Sequence, residues 1–248
     1  MVKLELLIVF KTEKLPRHHQ FLFASVVKSA LSYSNPEMQK KMYQYSETQA
    51  NKMMRPFTGA IYLNKYSLEN GEFLIQGDVR LTLSSSDAEF MLYMYNGFVQ
   101  QQCFKYQSYE LTLEKIQMLP QKLPKSSRAL MKTNSPIIVK NSLGKYLEID
   151  DASYVTELNY AANECMKSIM SRSLYEPIAF TPIAMRKKVV QLKHDKFVKL
   201  NDKGVLYMNA YEGNFILEGH PEDLAILTQA GLGFRRALFF GHIEMINE

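Results

Sequence analysis

The stretch QAGLGFRRALFFGHIEMI, residues 229–246, places three glycines and two adjacent arginines between a helix-like run and a last apolar strand. A helix C-cap followed by a tight turn explains one or two of the glycines, Gly231 and Gly233. It does not explain Arg235 and Arg236 in the same short loop. Glycine lets backbone N–H groups turn towards an anion, and arginine supplies charge and paired donors for phosphate. The residues alone favour a structural turn and a phosphate-binding loop about equally.

The helix and the strand on either side of this stretch complete an element order that occurs twice along the chain. Apolar spacing, proline and Asn-Gly breaks and a serine-rich cap predict β-α-β-β-α-β in the first half. Its elements are strand 2–10, helix 18–31, a short helix within 37–52, hairpin strands 57–63 and 72–83, a helix ending near 99, and strand 109–118. The order recurs as strand 130–139, helix 150–171, strands 178–199 and 204–217, helix 221–229 and strand 237–245.

Two split β-α-β units in tandem predict an α+β protein with two ferredoxin-like domains. A stretch with two prolines and two serines, residues 119–127, is typical of a linker. We therefore expect an N-terminal domain at 1–122 and a C-terminal domain at 123–248, the latter ending in the glycine-rich loop.

The bulk composition indicates a moderately basic globular protein. The chain has 248 residues, a net charge of +5 and a pI of about 9.0, a balance that favours polyanionic partners without identifying one. Two distant cysteines, Cys103 and Cys165, give no disulfide or zinc framework and suit a reducing cytoplasm. No apolar run approaches the length of a membrane helix, and the N-terminal run has a strand pattern instead of a signal-peptide pattern. We expect a cytoplasmic protein without membrane contact.

A second basic cluster lies in AMRKKVVQLKHDKFVKL, residues 184–200, which contains a single acid. The candidate contacts to a phosphate backbone in it are Arg186, Lys187, Lys188, Lys193 and His194. A solvated strand pair with outward lysines would carry the same residues. So concentrated a charge nevertheless favours a hairpin that lies along a nucleic-acid backbone.

The histidine spacings give no metal site and no nucleophile–base pair. No two histidines have helical ligand spacing with a carboxylate, and no G-x-S-x-G occurs. We therefore expect no metal and no cofactor. His18 and His19 stand side by side at the start of a helix, where the helix N-terminus lowers an imidazole pKa and suits a neutral general base.

The chain resembles a known family in several stretches, in consistent order. These are KLPRHHQFLFASVVKSAL (14–31), KTNSPIIVKN (132–141), FILEGHPEDLAILTQAGLG (215–233) and the GLGFRRALFFGHIEMI that ends the opening stretch. They are similar to the CRISPR repeat-processing endoribonuclease, the sixth CRISPR-associated protein, within the repeat-associated RNA-binding superfamily. The glycine loop is specific to the superfamily only, whereas the Ser135-Pro136 segment and the tandem fold favour the nuclease.

The resemblance implies a reaction and a partner. The family cuts the repeat of a long CRISPR transcript without metal, by attack of a ribose 2′-hydroxyl on the adjacent phosphate. The products are a 2′,3′-cyclic phosphate and a 5′-hydroxyl. Such chemistry needs a base, an acid and cations for the developing phosphorane charge, and members commonly use a histidine, often with tyrosine and lysine nearby.

The chain departs from the family pattern where many relatives have that histidine. The matching stretch, KKMYQYSET at 40–48, contains none. Either His19 or His18 carries out the acid–base work, or Tyr43 and Lys52 position the RNA and stabilise charge, which gives slow cleavage without imidazole. A third possibility is that catalysis is lost and binding retained.

The resemblance thus implies an endoribonuclease that matures guide RNA from CRISPR repeat RNA. We expect acid–base work from His19 or His18 with Lys52 and Tyr43 assisting, and RNA contacts from Arg235, Arg236 and the basic hairpin. An inactive RNA-binding subunit of a CRISPR effector complex is the alternative, and a metabolic ferredoxin-like protein that binds a small phosphorylated ligand is a third. Contact with effector-complex subunits and a homodimer both stay open.

Overall fold

The computed structural model describes residues 4–43, 54–193 and 204–248. The first half contains, in chain order, β1 (Leu4–Lys11), β2 (Lys14–Pro16), α1 (Gln20–Ser34), α2 (Pro36–Tyr43), β3 (Phe57–Leu63), β4 (Tyr66–Glu69), β5 (Glu72–Ile75), β6 (Val79–Ser85), α3 (Ala88–Gln100), β7 (Cys103–Tyr106) and β8 (Tyr109–Pro120). The second half contains β9 (Arg128–Thr133), α4 (Tyr154–Met170), β10 (Ala179–Lys193), β11 (Val205–Glu218), α5 (Pro221–Ala230) and β12 (Ile243–Asn247).

The two halves repeat one sheet topology. Within the described ranges, the first half forms a five-stranded sheet in the order β3-β6-β1-β8-β7, and the second a four-stranded sheet in the order β10-β11-β9-β12. In each unit the first strand lies between the third and the fourth, which is the ferredoxin-like arrangement. The predicted tandem ferredoxin-like fold is therefore confirmed. Since β8 ends at Pro120 and β9 begins at Arg128, a domain boundary at 122/123 is compatible with the sheets and stays a prediction.

Three predicted strands differ from the observed ones. The strand expected at 130–139 is observed at Arg128–Thr133, so it ends six residues early. The strand expected at 72–83 is split into β5 and β6, which are separated by residues 76–78. Asn70 and Gly71, with φ of 51° and 80°, close a β4–β5 hairpin. β5 then joins β2 and β4 in a small separate sheet, whereas β6 pairs with β3 and β1. The last strand begins at residue 243 instead of 237, because Arg236–Leu238 form a 3-10 helix between left-handed residues at Arg235 and Phe239.

Each half has its own apolar core, and a third apolar cluster joins them. Phe10 of β1 packs its ring against Phe98 and Phe104, with ring centroids 6.0 and 5.9 Å apart. The joining cluster contains Val190 and Leu192 of β10 together with Phe240, and Phe21 of α1 packs against it. Burial of each side chain of this size stabilises the fold by roughly 1.5–3 kcal/mol, so the two halves are held together by apolar contact.

The β10–β11 hairpin is longer than the sheet to which it belongs. The two strands pair from Ala179–Glu218 to Lys193–Val205, whereas β9 pairs with β11 only over residues 214–218. Residues 184–193 and 205–213 therefore project past the sheet, and we call them the projecting hairpin. Its buried side packs on the joining cluster, so its basic side chains point outward.

Candidate functional site

Two cations contact the ring of Tyr43 at the end of α2. The ammonium of Lys28 lies 5.5 Å from the ring centroid, and the guanidinium carbon of Arg55 lies 4.2 Å from it. Lys28 is exposed and the other two side chains are partly exposed. We call these three residues the tyrosine cluster. Two cations beside a phenol form a place where an anion such as a phosphate is attracted.

The helix hairpin explains why Lys28 meets Tyr43. The chain reverses at Asn35 and Pro36, where α1 ends and α2 begins, and the Asn35 side chain accepts a hydrogen bond from the Met38 N–H at 2.9 Å. Residues equally far from such a turn lie side by side, since both helices rise by about 1.5 Å per residue. Positions 28 and 43 are equidistant from the turn. This spacing could have identified Lys28, which the sequence analysis missed together with Arg55.

His19 is the N-cap residue of α1, at the opposite end of that helix, and its side chain is largely buried. Its imidazole packs against Phe23 and Phe73, with ring centroids 6.0 and 5.7 Å away. Burial lowers the pKa of His19 to about 4, so the ring is neutral at physiological pH and a weak base. Nine residues separate His19 from Lys28, which is about 14 Å along a helix. The structure therefore does not bring His19 and Tyr43 together.

His18 lies at a cleft where the two halves meet. Its Nδ1 is 3.0 Å from the carbonyl oxygen of Gln191 on β10. Burial is the main cause that lowers the pKa of His18. The cleft has a volume of about 340 Å³, and Arg17 and Lys188 also line it. It is a groove of mixed polar and apolar lining, with basic groups from both halves.

Three basic residues of the projecting hairpin, Arg186, Lys187 and Lys188, are paired with acids. The carboxylate of Glu212 lies 2.5 Å from Arg186 and 3.1 Å from Lys188. Lys187 pairs with Glu148, which also accepts a hydrogen bond from Tyr211. Lys193 is exposed at the end of β10. His194, like Lys52, lies outside the described residues.

Gly231 and Gly233 are buried and allow close packing. Gly231 ends α5 with φ 85°, and a Cβ there would lie 2.7 Å from the Thr58 side chain. A Cβ on Gly233, with φ 77°, would lie 2.4 Å from the carbonyl oxygen of Ile138. These contacts account for both glycines structurally, and their burial does not favour the predicted contact with RNA.

The two arginines of the same loop have different surroundings. Arg235 is partly exposed, and its Nη2 donates to the Tyr146 hydroxyl at 3.0 Å. Arg236 is only 5% exposed, and its Nη1 donates to the Ala230 carbonyl at 2.6 Å and lies 2.9 Å from the Cys165 sulfur. A cation there satisfies a carbonyl at the C-terminus of α5. The guanidinium of Arg236 is therefore used inside the protein, which does not favour the predicted contact with RNA.

Neither a metal-ligand group nor a membrane span occurs in the described part of the chain. Over residues 4–43, 54–193 and 204–248, no three or more His, Cys, Asp or Glu side chains come together in a way that could hold a metal ion. No helix in these ranges has both the length and the apolar character that crossing a membrane requires.

The fold is that of a class of solved structures with two ferredoxin-like units. One, described as an RAMP protein binding different RNA substrates, has 16% sequence identity to this chain and a TM-score of 0.77. The alignment covers 98% of this chain and 100% of that protein. A Cas6-related protein from Pyrococcus furiosus has 18% identity and a TM-score of 0.76 over 98% and 99% of the two chains. A CRISPR-associated protein Cas6 has 20% identity and a TM-score of 0.72, also over 98% and 99%.

A family model decides the membership. The model for the C-terminal part of the CRISPR-associated protein Cas6 matches residues 119–245, half of the chain. The chain therefore belongs to the Cas6 family, as the resemblance of its motifs predicted. No curated protein matches the chain.

Proposed function

We propose that this Cas6-family protein binds CRISPR repeat RNA and cleaves it at the tyrosine cluster without a metal ion. The observation that carries the proposal is the contact of Lys28 and Arg55 with Tyr43. Tyr43 lies in the stretch where the family resemblance expects the acid–base residue. The RNA substrates named for a structural neighbour, and the family membership itself, support the choice of RNA.

The proposed reaction is a transesterification. The ribose 2′-oxygen bonds to the adjacent phosphorus and loses its proton, while the bond from phosphorus to the 5′-oxygen breaks and that oxygen gains a proton. Lys28 and Arg55 stabilise the negative charge that develops on the phosphorane oxygens. The hydroxyl of Tyr43 is the proton donor to the leaving 5′-oxygen, because a phenol with a pKa of about 10 is a poor base at neutral pH but can donate.

The base in this scheme is solvent. The chain has no histidine between residues 20 and 193, so no imidazole from these residues can take the 2′-hydroxyl proton at the tyrosine cluster. We therefore expect slow cleavage, consistent with the slow, imidazole-free route that the sequence left open.

The RNA backbone is proposed to follow the basic surface of the second half. Arg235 and Lys193 offer exposed or partly exposed charge, and the cleft with Arg17, His18 and Lys188 lies where the halves meet. Single-stranded RNA is held in such grooves by backbone charge. Gly231, Gly233 and Arg236 are proposed to support this surface from inside.

His18 remains a second candidate for the acid–base group, because it lines the cleft where RNA could reach it. In that case the scissile phosphate would lie in the cleft and not at α2. An inactive RNA-binding subunit of an effector complex is the alternative of a different class. A cleavage assay distinguishes the nuclease from the binding subunit. Variants of Tyr43 and His18 then identify the acid–base residue.

The experiment incubates the purified protein with its host's CRISPR repeat RNA in EDTA. A second set of substrates carries a single 2′-deoxy substitution at each candidate site in turn. Cleavage at one phosphate that the matching 2′-deoxy substitution abolishes would support metal-independent transesterification. Tight, salt-dependent binding without any cleavage would overturn it in favour of the binding subunit, and absence of binding would overturn both.

A further inference from the structure

A second pocket lies on the second half and shares no lining residue with the cleft or the tyrosine cluster. Its volume is about 560 Å³. It is formed by the start of the turn at 140–146, by α4 and by the ring of Phe234. The side chains that define it are Lys140, Glu157, Tyr160 and Phe234. The proposed cleavage uses none of these residues, and only Phe234 among them packs against the joining cluster.

One wall of this pocket is built rigidly. The Asn141 side chain accepts hydrogen bonds from the backbone N–H groups of Leu143 and Lys145, at 3.1 and 3.0 Å, which locks the turn that begins at Lys140. The Lys140 ammonium lies 5.3 Å from the ring centroid of Phe234. Phe234 is in turn fixed by its backbone N–H, which donates to the Ile138 carbonyl at 2.8 Å. A cation and an aromatic face are therefore held together in a defined geometry.

The opposite wall is the exposed face of α4. Tyr160 is 56% exposed, so its ring does not serve the core. Glu157 lies one helical turn before it, on the same face. The pocket thus offers two aromatic rings, a cation at its edge and a carboxylate that can accept hydrogen bonds.

We infer that this pocket binds one unpaired guanine nucleotide of the RNA, an inference that rests on the proposed function. Aromatic rings stack on a splayed base, and proteins read such bases on their Watson–Crick edges. Guanine presents two adjacent N–H donors there, which match the two oxygens of Glu157. Lys140, with Arg235 next in the chain to Phe234, supplies charge for the flanking phosphates.

The test compares Tyr160→Ala with Tyr160→Phe by titration of the full-length protein with labelled repeat RNA. Loss of the ring is expected to weaken binding roughly 10-fold, the usual effect of one stacked base, whereas Tyr160→Phe keeps the ring and the affinity. Because Tyr160 is exposed, both variants should unfold at the temperature of the wild type. Wild-type affinity of folded Tyr160→Ala would overturn the inference.

A second measurement locates the base. Ultraviolet crosslinking of the wild type to repeat RNA, followed by peptide mapping, should join a guanine to the peptide that contains Tyr160 or Phe234. The wild type should bind the repeat more tightly than an RNA in which inosine replaces that guanine, and Glu157→Gln should remove this preference. Crosslinks found only elsewhere overturn the pocket assignment alone, whereas failure of the wild type to bind repeat RNA overturns the proposed function with it.

Discussion

The guanidinium carbon of Arg55, two residues before β3, lies 4.2 Å from the ring centroid of Tyr43 at the end of α2. The sequence pattern predicted a role for Tyr43 but not for Arg55. Lys28 of α1 contacts the same ring at 5.5 Å. The helix hairpin therefore assembles two positive charges at one phenol, which is the basis of the first prediction.

Arg55→Ala should lower the rate of repeat-RNA cleavage roughly 10²- to 10³-fold, the usual cost of removing one donor that stabilises developing charge. Arg55→Lys should restore part of the rate, since it keeps the charge but loses the paired donors. Tyr43→Phe keeps the ring against both cations and removes only the hydroxyl, so a loss of roughly 10²-fold would identify the phenol as the proton donor. The measurement is single-turnover cleavage at saturating protein. Wild-type rates in both Arg55→Ala and Tyr43→Phe would show that the chemistry occurs elsewhere.

The dependence of the cleavage rate on pH separates solvent from imidazole as the base. With solvent as base, the rate should continue to rise with pH between about 6 and 8.5, because hydroxide becomes more abundant. With His18 as base, the rate should be flat above about pH 6.5, since burial lowers the pKa of His18 and the ring is already neutral there. A flat profile that His18→Ala abolishes would contradict the tyrosine cluster as the complete active site.

The free energy of unfolding should fall in mild acid because of His19. Its folded pKa is about 4 against an ordinary value of 6.5, so the unfolded chain binds the proton more tightly in this window. The free energy of unfolding is therefore highest above about pH 6.5 and falls, by up to about 3 kcal/mol, as the pH decreases towards 4. Urea unfolding at pH 7 and pH 4.5 should therefore show a smaller difference in His19→Gln than in the wild type. Equal differences would mean that His19 is not buried in solution.

Glu212→Gln should strengthen RNA binding. The Glu212 carboxylate pairs with both Arg186 and Lys188, so its neutralisation frees two cations of the projecting hairpin for phosphate. Affinity should rise, and the logarithm of the binding constant should fall more steeply with the logarithm of salt, by roughly one to two units. Glu218→Gln on the same strand is the matched control, because its partner Arg128 lies outside the hairpin. Unchanged binding in Glu212→Gln would mean that RNA does not follow this hairpin.

The fold was predictable from sequence because its determinants are local. Apolar periodicity, the Asn70-Gly71 turn and Pro221 at the start of α5 define elements within a few residues, and the repeated order defines the topology. The last strand was placed too early, since nothing in the apolar run 237–245 marks the left-handed conformation of Phe239. Such a conformation is set by packing at a distance.

The candidate site was predictable only in part, because its contacts join residues far apart in sequence. Two adjacent histidines at a helix start attracted attention, yet the packing of Phe73 against His19 depends on β5, more than fifty residues away. The adjacent Arg235 and Arg236 likewise look equivalent in the sequence but have different environments in the structure, because Arg236 points inward to Cys165. Only the spacing of Lys28 and Tyr43 about the Asn35 turn was present in the sequence.

The glycines of the opening stretch give the last prediction, because the structure offers a matched pair for it. Gly233 and Gly71 have nearly the same left-handed φ, 77° and 80°, but a Cβ on Gly233 would lie 2.4 Å from the Ile138 carbonyl oxygen whereas one on Gly71 meets nothing within 4 Å. Gly71→Ala should therefore cost only the left-handed backbone conformation, about 1 kcal/mol. Gly233→Ala should add the strain of overpacking and cost roughly 2–4 kcal/mol in the free energy of urea unfolding. The opposite outcome would be a small and equal loss of stability in both variants, with a loss of RNA affinity in Gly233→Ala alone. It would mean that Gly233 contacts phosphate and that the loop is needed for binding more than for packing.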